Sequence, residues 1–286
     1  MRAVLPVFYT PEMAAHTPSF SPSASKPDKV VEHWRAIGLP IDIIAPAPAT
    51  LAELYLAHER AFVDDVLACK TDNGFGNRSP EVAHTLPFTT GAMLAAARHV
   101  MTLGGIACAP CSGFHHAGYR IAGGYCTFNG LMVTACALRV AGAKRVAIVD
   151  CDTHYGDGTD EIIAELGIDW VDHYTTGRSY QRPIHAEAFF AELPDRLRAM
   201  AGCDVVLYQA GADPHVDDPL GGWLTTEQLA ERDRIVFETL MAVGVPVAWN
   251  FAGGYQVEAD GSIPKVIAIH DNTAHAALAS LRARAL

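Results

Sequence analysis

Residues 145–154 read Arg-Val-Ala-Ile-Val-Asp-Cys-Asp-Thr-His, an apolar run that ends in two carboxylates and an imidazole at two-residue intervals. A continuous apolar run, rather than an alternating one, fits a strand covered on both faces of a parallel sheet. In such sheets ligands bind beyond the carboxyl ends of the strands, which is where Asp150, Asp152 and His154 fall. If the chain stays extended through them, all three side chains project from one face. Two carboxylates and an imidazole crowded together repel unless something holds them. A divalent cation on Asp152 and His154, with Asp150 behind as a hydrogen-bonding partner, would do so.

Similar apolar runs occupy 41–45, 105–109, 204–210 and 245–251, and residues 1–9 read as a first strand rather than as a signal-peptide core. Helical patterns lie between them at 90–102, 131–141, 159–166, 186–200 and 225–243. This alternation predicts an α/β fold with an open, mostly parallel sheet flanked by helices on both faces. No internal repeat and no long Gly/Ser linker interrupts the chain, so residues 1–286 are expected to form a single catalytic domain. The polar stretches 17–29 and 71–80 read as loops that rim a pocket.

Half of the 286 residues are hydrophobic and 19% are charged, enough for a large core and too few polar residues for long disorder. A net charge of −11 argues against sequence-independent nucleic-acid binding and suits a cationic substrate. Seven cysteines, an odd number scattered through apolar segments, read as reduced core thiols of a cytoplasmic protein. From His99 to Leu138 the sole formal charge is Arg120, yet Gly104, Gly105, Pro110, His115, His116 and Asn129 break the run. Buried core and active-site wall therefore describe it better than a membrane span.

The strand ends carry the remaining chemistry. Strand 204–210 leads to Asp213, which with Asp152 and His154 makes three ligands, the number a catalytic zinc keeps beside an open position. A single Asp at a strand end is more often a helix cap, but several acids at one edge together with a histidine favour the metal. Strand 105–109 leads to the vicinal His115-His116, suited to acid–base work, and Asp150 and Asp157 remain as partners for two His–Asp dyads. Taken alone, the pair would read as structural histidines. Strand 245–251 leads to Gly253-Gly254-Tyr255, where a phenol could donate to an oxyanion or simply pack on a turn. Cys108-Ala-Pro-Cys111 offers a rival reading as a thiol–disulfide motif, although it opens a loop rather than a helix.

Four motifs together resemble the histone deacetylase family in its broad sense, including bacterial deacetylase-like and acetylpolyamine amidohydrolases. They are Gly113-Phe-His-His-Ala117 with Gly123-Gly-Tyr-Cys-Thr-Phe-Asn129; Asp150-Cys-Asp-Thr-His-Tyr-Gly-Asp-Gly-Thr159; Ala210-Gly-Ala-Asp213 with Asp218-Pro-Leu-Gly-Gly222; and Gly253-Gly-Tyr255. Weaker likeness reaches Leu51–Leu54, His58 and Phe62-Val63. The resemblance implies an arginase/deacetylase-like fold and one Zn²⁺, or Fe²⁺, on Asp152, His154 and Asp213. It implies His116 with Asp157 as general base and acid, His115 with Asp150 as electrostatic partner, and Tyr255 as the group polarising the acyl carbonyl. Gly124, Tyr125 and Tyr180 would line the acyl-lysine tunnel, and a structural K⁺ would sit near Asp150.

The substrate so implied is an acetylated small amine or acetyl-lysine, with neither nucleic acid nor membrane as partner and a homo-oligomer as an open alternative. Departures from the family pattern are Tyr155 where many relatives have a second histidine, Ala252 where an acid is common, and Asn77 near the position of a rim aspartate. The expected activity is hydrolysis of an N-acyl amide. A ureohydrolase with two metals would need bridging carboxylates where Gly156 and His215 stand. A non-catalytic acyl-lysine binder on the same scaffold is the other alternative.

Overall fold

A computed structural model describes residues 3–284. Seven strands form one sheet: β1 (Leu5–Phe8), β2 (Ile41–Ile44), β3 (Ile106–Ala109), β4 (Val146–Asp150), β5 (Val171–Thr175), β6 (Val205–Gln209) and β7 (Val247–Asn250). Their order is β2-β1-β3-β7-β6-β4-β5, and every pairing is parallel. The mostly parallel expectation is thus met by a fully parallel sheet. Strands β3, β4, β6 and β7 are buried along their whole length, which is why their sequences are apolar without alternation. The first strand starts at Leu5, and the expected residues Met1 and Arg2 lie outside the described ones.

Around the sheet run α1 (Lys26–Ala36), α2 (Leu51–Leu54), α3 (Arg60–Leu67), α4 (Pro80–Leu103), α5 (Gly130–Val140), α6 (Asp157–Glu165), α7 (Ala186–Ala199), α8 (Thr226–Ala242) and α9 (Pro264–Arg284). Four elements depart from expectation. The stretch 17–29 is not loop throughout, since α1 begins at Lys26 and buries Val30, Val31 and Trp34. Helix α4 starts ten residues before position 90 and carries Pro87 inside it, a residue that ordinarily ends a helical pattern. Strand β5 and helix α9 carry no strong periodic signal, β5 because it is a half-buried edge strand.

Aromatic packing ties helices to the sheet. Trp34 of α1 meets Trp249 of β7 at 6.2 Å and Phe251 at 5.6 Å between ring centroids. Each such buried side chain contributes roughly 1.5–3 kcal/mol. Helix starts are fixed chemically: Ser79 caps α4, Thr225 and Gln228 form a capping box on α8, and the Asn129 side chain caps α5. The Asn129 amide also donates to Ala117 O and Thr159 Oγ1, both at 3.0 Å, so α5 and α6 are pinned to the loop after β3.

Register decides where the chemistry collects. Asp150 ends β4 opposite Gln209 of β6, Gln209 faces Asn250 of β7, and Asn250 faces Ala109 of β3. Four adjacent strands therefore stop level, and the loops that follow them share one end of the sheet.

Candidate active site

The row Asp150–Gln209–Asn250 is the floor of the site. Gln209 Nε2 donates to Asp150 Oδ1 at 3.3 Å, while its Oε1 accepts the Phe114 N–H at 3.2 Å. Asn250 Nδ2 donates to Gly113 O at 3.2 Å. These two amides hold the His115–His116 loop, and sequence reasoning passed them over. The available signal was a polar residue closing each of two otherwise apolar runs.

Beyond β4 the chain does not stay extended; residues 152–154 bend. Side-chain alternation therefore does not gather the acids. Asp150 Oδ1 accepts the Asp152 N–H at 3.1 Å and Asp152 Oδ1 accepts the His154 N–H at 2.9 Å, so each carboxylate folds the next step of the loop. Asp213 enters from the loop after β6. Asp152, His154 and Asp213 offer donor atoms within 4.8 Å of one another, and among the described residues no other group of three potential ligands does so.

The detail of this triad fits a cation. His154 Nε2 lies 3.2 Å from Leu220 O, a pure acceptor, so that nitrogen carries hydrogen and the neutral ring keeps its lone pair on Nδ1. Nδ1 lies 3.1 Å from Asp152 Oδ1 and 3.0 Å from Asp213 Oδ2. The other carboxylate oxygens are already engaged, Asp152 Oδ2 by the Gly253 N–H at 2.8 Å and Asp213 Oδ1 by the Thr153 N–H at 3.3 Å. Three lone-pair-bearing atoms thus converge on one point, with two oxygens and one nitrogen as donors, a set suited to Zn²⁺ or Fe²⁺. Burial and the neighbouring Asp152 push the Asp213 carboxyl up. Burial pulls the His154 imidazole down, but hydrogen bonds to both aspartates outweigh it and drive it up to about 11. A proton on Nδ1 and a metal ion answer the same electrostatic demand.

Two His–Asp pairs flank the triad. His115 Nδ1 is 2.7 Å from Asp150 Oδ2, and both side chains are buried. His116 Nδ1 is 2.7 Å from Asp157 Oδ1, with Asp157 exposed. The two rings stand 4.1 Å apart, and His116 is 5.7 Å from the His154 ring. Burial opposes protonation of His115, yet the Asp150 charge wins and brings it up to about 9. Burial and the charge on His115 pull His116 down. One imidazole is thereby suited to hold a proton and the other to accept one.

Tyr255 stands 6.4 Å from His154 and 5.6 Å from Tyr125 between ring centroids. Burial and then the charges of Asp152 and Asp213 hold its hydroxyl well above the usual phenol range, so it remains a donor. A Cβ on Gly253 would lie 2.3 Å from Asp213 Oδ2, and one on Gly124 would lie 2.5 Å from the His116 ring, so both positions require glycine. Ala252 and Tyr125 adopt positive φ, 49° and 62°, the strain expected where loops are over-determined by a site.

Tyr125 forms one wall with Phe75, 5.6 Å away, and its N–H donates to Gly74 O at 2.9 Å. Loop 71–80 therefore rims the site as expected, and Phe75 is a wall residue that the sequence reading missed. A cavity of about 10 Å³ at the centre is lined by His115, Tyr125, Asp152 and Tyr255, with Ser23 reaching it from the 17–29 stretch. Tyr180 does not form the opposite wall. Its ring packs on Trp223 and Phe189, and its hydroxyl donates to Glu192 of α7, so it belongs to the packing under that helix. Cys108 and Cys111 are buried and not joined by a disulfide, and burial pushes both thiols up, the opposite of what thiolate chemistry needs.

Three side chains build the loops behind the site. Lys26, fully buried at the start of α1, donates to Ala252 O at 2.8 Å and Gly253 O at 2.9 Å. Arg232 of α8 donates to Cys151 O at 3.1 Å and Gly211 O at 2.7 Å, tying together the two loops that bear the ligands. Asp218, pushed up to about 6 by burial, accepts the N–H groups of Leu220 and Tyr255.

A family model described as histone deacetylase domain matches residues 23–169, half of the chain. The chain belongs to this family. An uncharacterized protein of Picosynechococcus sp. is 28% identical over 250 residues, covering 76% of this chain and 79% of that protein. The acetylpolyamine amidohydrolase of Mycoplana ramosa is 30% identical over 176 residues, covering 50% of this chain and 49% of that enzyme. The match thus spans about half the length of that named relative. Among solved structures, the HDA15 HD domain superposes with a TM-score of 0.76 at 20% identity, over 97% of this chain and 90% of that one. The acetylpolyamine aminohydrolase of Burkholderia pseudomallei gives 0.73 at 19% identity, over 95% and 98%. At these identities the likeness establishes the fold: an open parallel sheet of the deacetylase type. No helix among the described residues is long and apolar enough to cross a membrane.

Proposed function

We propose that this protein is a metal-dependent amidohydrolase that removes a short acyl group, acetyl in the first instance, from a lysine side chain or a small amine. The observation that carries the reading is the convergence of His154 Nδ1, Asp152 Oδ1 and Asp213 Oδ2, with two His–Asp pairs and a phenol beside them. Asp152, His154 and Asp213 would hold one Zn²⁺, with Fe²⁺ the ion to be distinguished by metal analysis. When bound, such an ion supplies Lewis acidity toward the acyl carbonyl and toward water.

The chain's own groups do the rest. Asp157 accepts the His116 Nδ1–H, which leaves the Nε2 lone pair free to take a proton from the attacking water and return it to the departing amine. His115, paired with buried Asp150, holds a positive charge beside the reaction and so favours negative charge developing on the acyl oxygen. The Tyr255 hydroxyl donates to that oxygen. Tyr125 and Phe75 cover the substrate stem.

A binuclear ureohydrolase site is not supported. Both ring nitrogens of His215 are engaged, Nε2 with Thr226 at 2.9 Å and Nδ1 with the Asp217 N–H at 3.1 Å, and Gly156 offers no side-chain donor. The test is to load purified protein with Zn²⁺ or Fe²⁺, measure metal per chain, and follow acetate release from acetylated peptides and small acetylated amines. One metal per chain and turnover on at least one substrate are expected, with Tyr255→Phe reducing turnover by roughly 10²–10³. Ligand binding without acetate release would favour the non-catalytic reading, and two metals per chain the binuclear one.

A further inference from the structure

Asp218 is a buried carboxylate with no cationic partner within bonding distance among the described residues; the nearby Lys26 amine is spent on Ala252 O and Gly253 O. Its two oxygens serve two different loops. Oδ1 accepts the Leu220 N–H at 3.0 Å, and Oδ2 accepts the Tyr255 N–H at 2.8 Å. Leu220 in turn presents its carbonyl to His154 Nε2 at 3.2 Å, the contact that leaves Nδ1 facing the two aspartates. The Leu220 bond alone would be an ordinary turn in which an aspartate accepts from the residue two positions on. The Tyr255 bond is not local: it crosses 37 residues to the loop after β7. A turn-forming residue has no need of it.

We infer that Asp218 is a positioning residue that sets two members of the site together, the Tyr255 phenol through its backbone and the His154 ring through the Leu220 carbonyl. The inference rests on the reading of the site as a metal-dependent amidohydrolase. It makes a chemical demand on position 218 that size alone does not. Two N–H groups arrive from different sides, and an acceptor-only group answers both. An amide has one acceptor and one NH₂, so Asn at this position leaves one backbone N–H facing the side chain's NH₂ donor.

The experiment compares wild type, Asp218→Asn and Asp218→Ala. Metal-free proteins are titrated with Zn²⁺ against a chromophoric chelator, the visible spectrum with Co²⁺ is recorded, and kcat and KM are measured at saturating Zn²⁺ on whichever acetylated substrate wild type turns over. Both variants are expected to bind Zn²⁺ about 10–100-fold more weakly, as when the hydrogen-bond partner of a metal-bound histidine is lost. At saturating Zn²⁺ kcat should remain about tenfold down with KM within twofold, because the Tyr255 loop is still displaced. Should Asp218→Asn fail to fold, Asp218→Glu carries the test: moving the carboxylate by one methylene should shift the Co²⁺ bands. Unshifted bands, or Zn²⁺ affinity and kcat within twofold of wild type, would overturn the inference and leave Asp218 as a turn residue. Wild-type protein that takes up no Zn²⁺ would instead overturn the metal reading on which it rests.

Discussion

Two buried polar clusters lie one behind the other at the end of the sheet, and they handle charge in opposite ways. In the rear cluster Arg232 Nε donates to Asp233 Oδ1 at 2.8 Å, and the same carboxylate accepts from the Tyr208 hydroxyl and from Thr273 Oγ1, the latter at 2.5 Å. One positive charge meets one negative charge, and of the guanidinium only Nη2 lacks a partner among the described residues. The front cluster sets two carboxylates and one imidazole face to face, with no lysine or arginine among the described residues paired to either carboxylate. Arg232 joins the two clusters by holding Cys151 O and Gly211 O, each one or two residues before a ligand. A closed charge cluster can serve as a scaffold, whereas an open one is poised to take a ligand. The stability of the first should be independent of metal, and that of the second should not.

The strongest way to break this contrast is to open the rear cluster. Arg232→Met keeps the length and apolar stem but strands the Asp233 charge in the core and frees two loop carbonyls. Removing one partner of a buried ion pair typically costs about 3–5 kcal/mol. Urea unfolding of the metal-free variant should show that loss, and saturating Zn²⁺ should not restore it. A variant as stable as wild type would mean that the scaffold reading is mistaken.

How far these clusters were legible in the sequence depends on which forces build them. The four strands that carry the site announce themselves by apolar runs, because a strand buried on both faces tolerates little else. The residues that touch the site centre stand out as well, since acids and histidines that singly would read as caps or packed rings gather at the ends of four such runs. What stayed hidden depends on contacts between segments distant in sequence. Nothing local marks Lys26 as the residue that crosses 226 positions to Ala252, and Arg232 looks like any other charged residue on a helix. Only the family resemblance points Tyr180 toward the site, and its packing with Trp223 sets it elsewhere. Even the correct grouping of Asp152 with His154 arises from bends made by aspartate–backbone hydrogen bonds, not from the strand periodicity that suggested it.

His58 sharpens the contrast as a buried imidazole that is closed without any charge. Its Nδ1–H donates to Gly118 O at 2.9 Å and its Nε2 accepts the Asn129 N–H at 2.8 Å, a pattern only the neutral ring can satisfy. Burial holds it down to about 4 from an ordinary 6.5. The folded value lies below the unfolded one, so the unfolded chain takes up the proton first as pH falls. The contribution is complete above about pH 6.5 and is lost progressively between there and pH 4, at about 1.4 kcal/mol per unit and about 3 kcal/mol in all. Comparing urea midpoints of wild type and His58→Gln from pH 7.5 to 4.5 isolates this segment. The wild-type curve should fall toward the variant's over that window, and parallel curves would show that His58 does not titrate as its surroundings require.

Asp213→Asn probes the open cluster with the smallest perturbation. In metal-free protein it removes one of two carboxylates that share a buried site and leaves Asp152 with His154, so stability should equal or exceed that of wild type. With Zn²⁺ at a hundred times its dissociation constant, wild type should gain about 2.7 kcal/mol by mass action. The variant, lacking one donor of three, should gain little at the same concentration. Thermal or urea unfolding of both proteins with and without Zn²⁺ gives the four numbers needed. A variant that is less stable without metal, yet gains as much with it, would reverse the assignment: Asp213 would then be closing a structural network like the one around Asp233, and the cation would have to bind elsewhere.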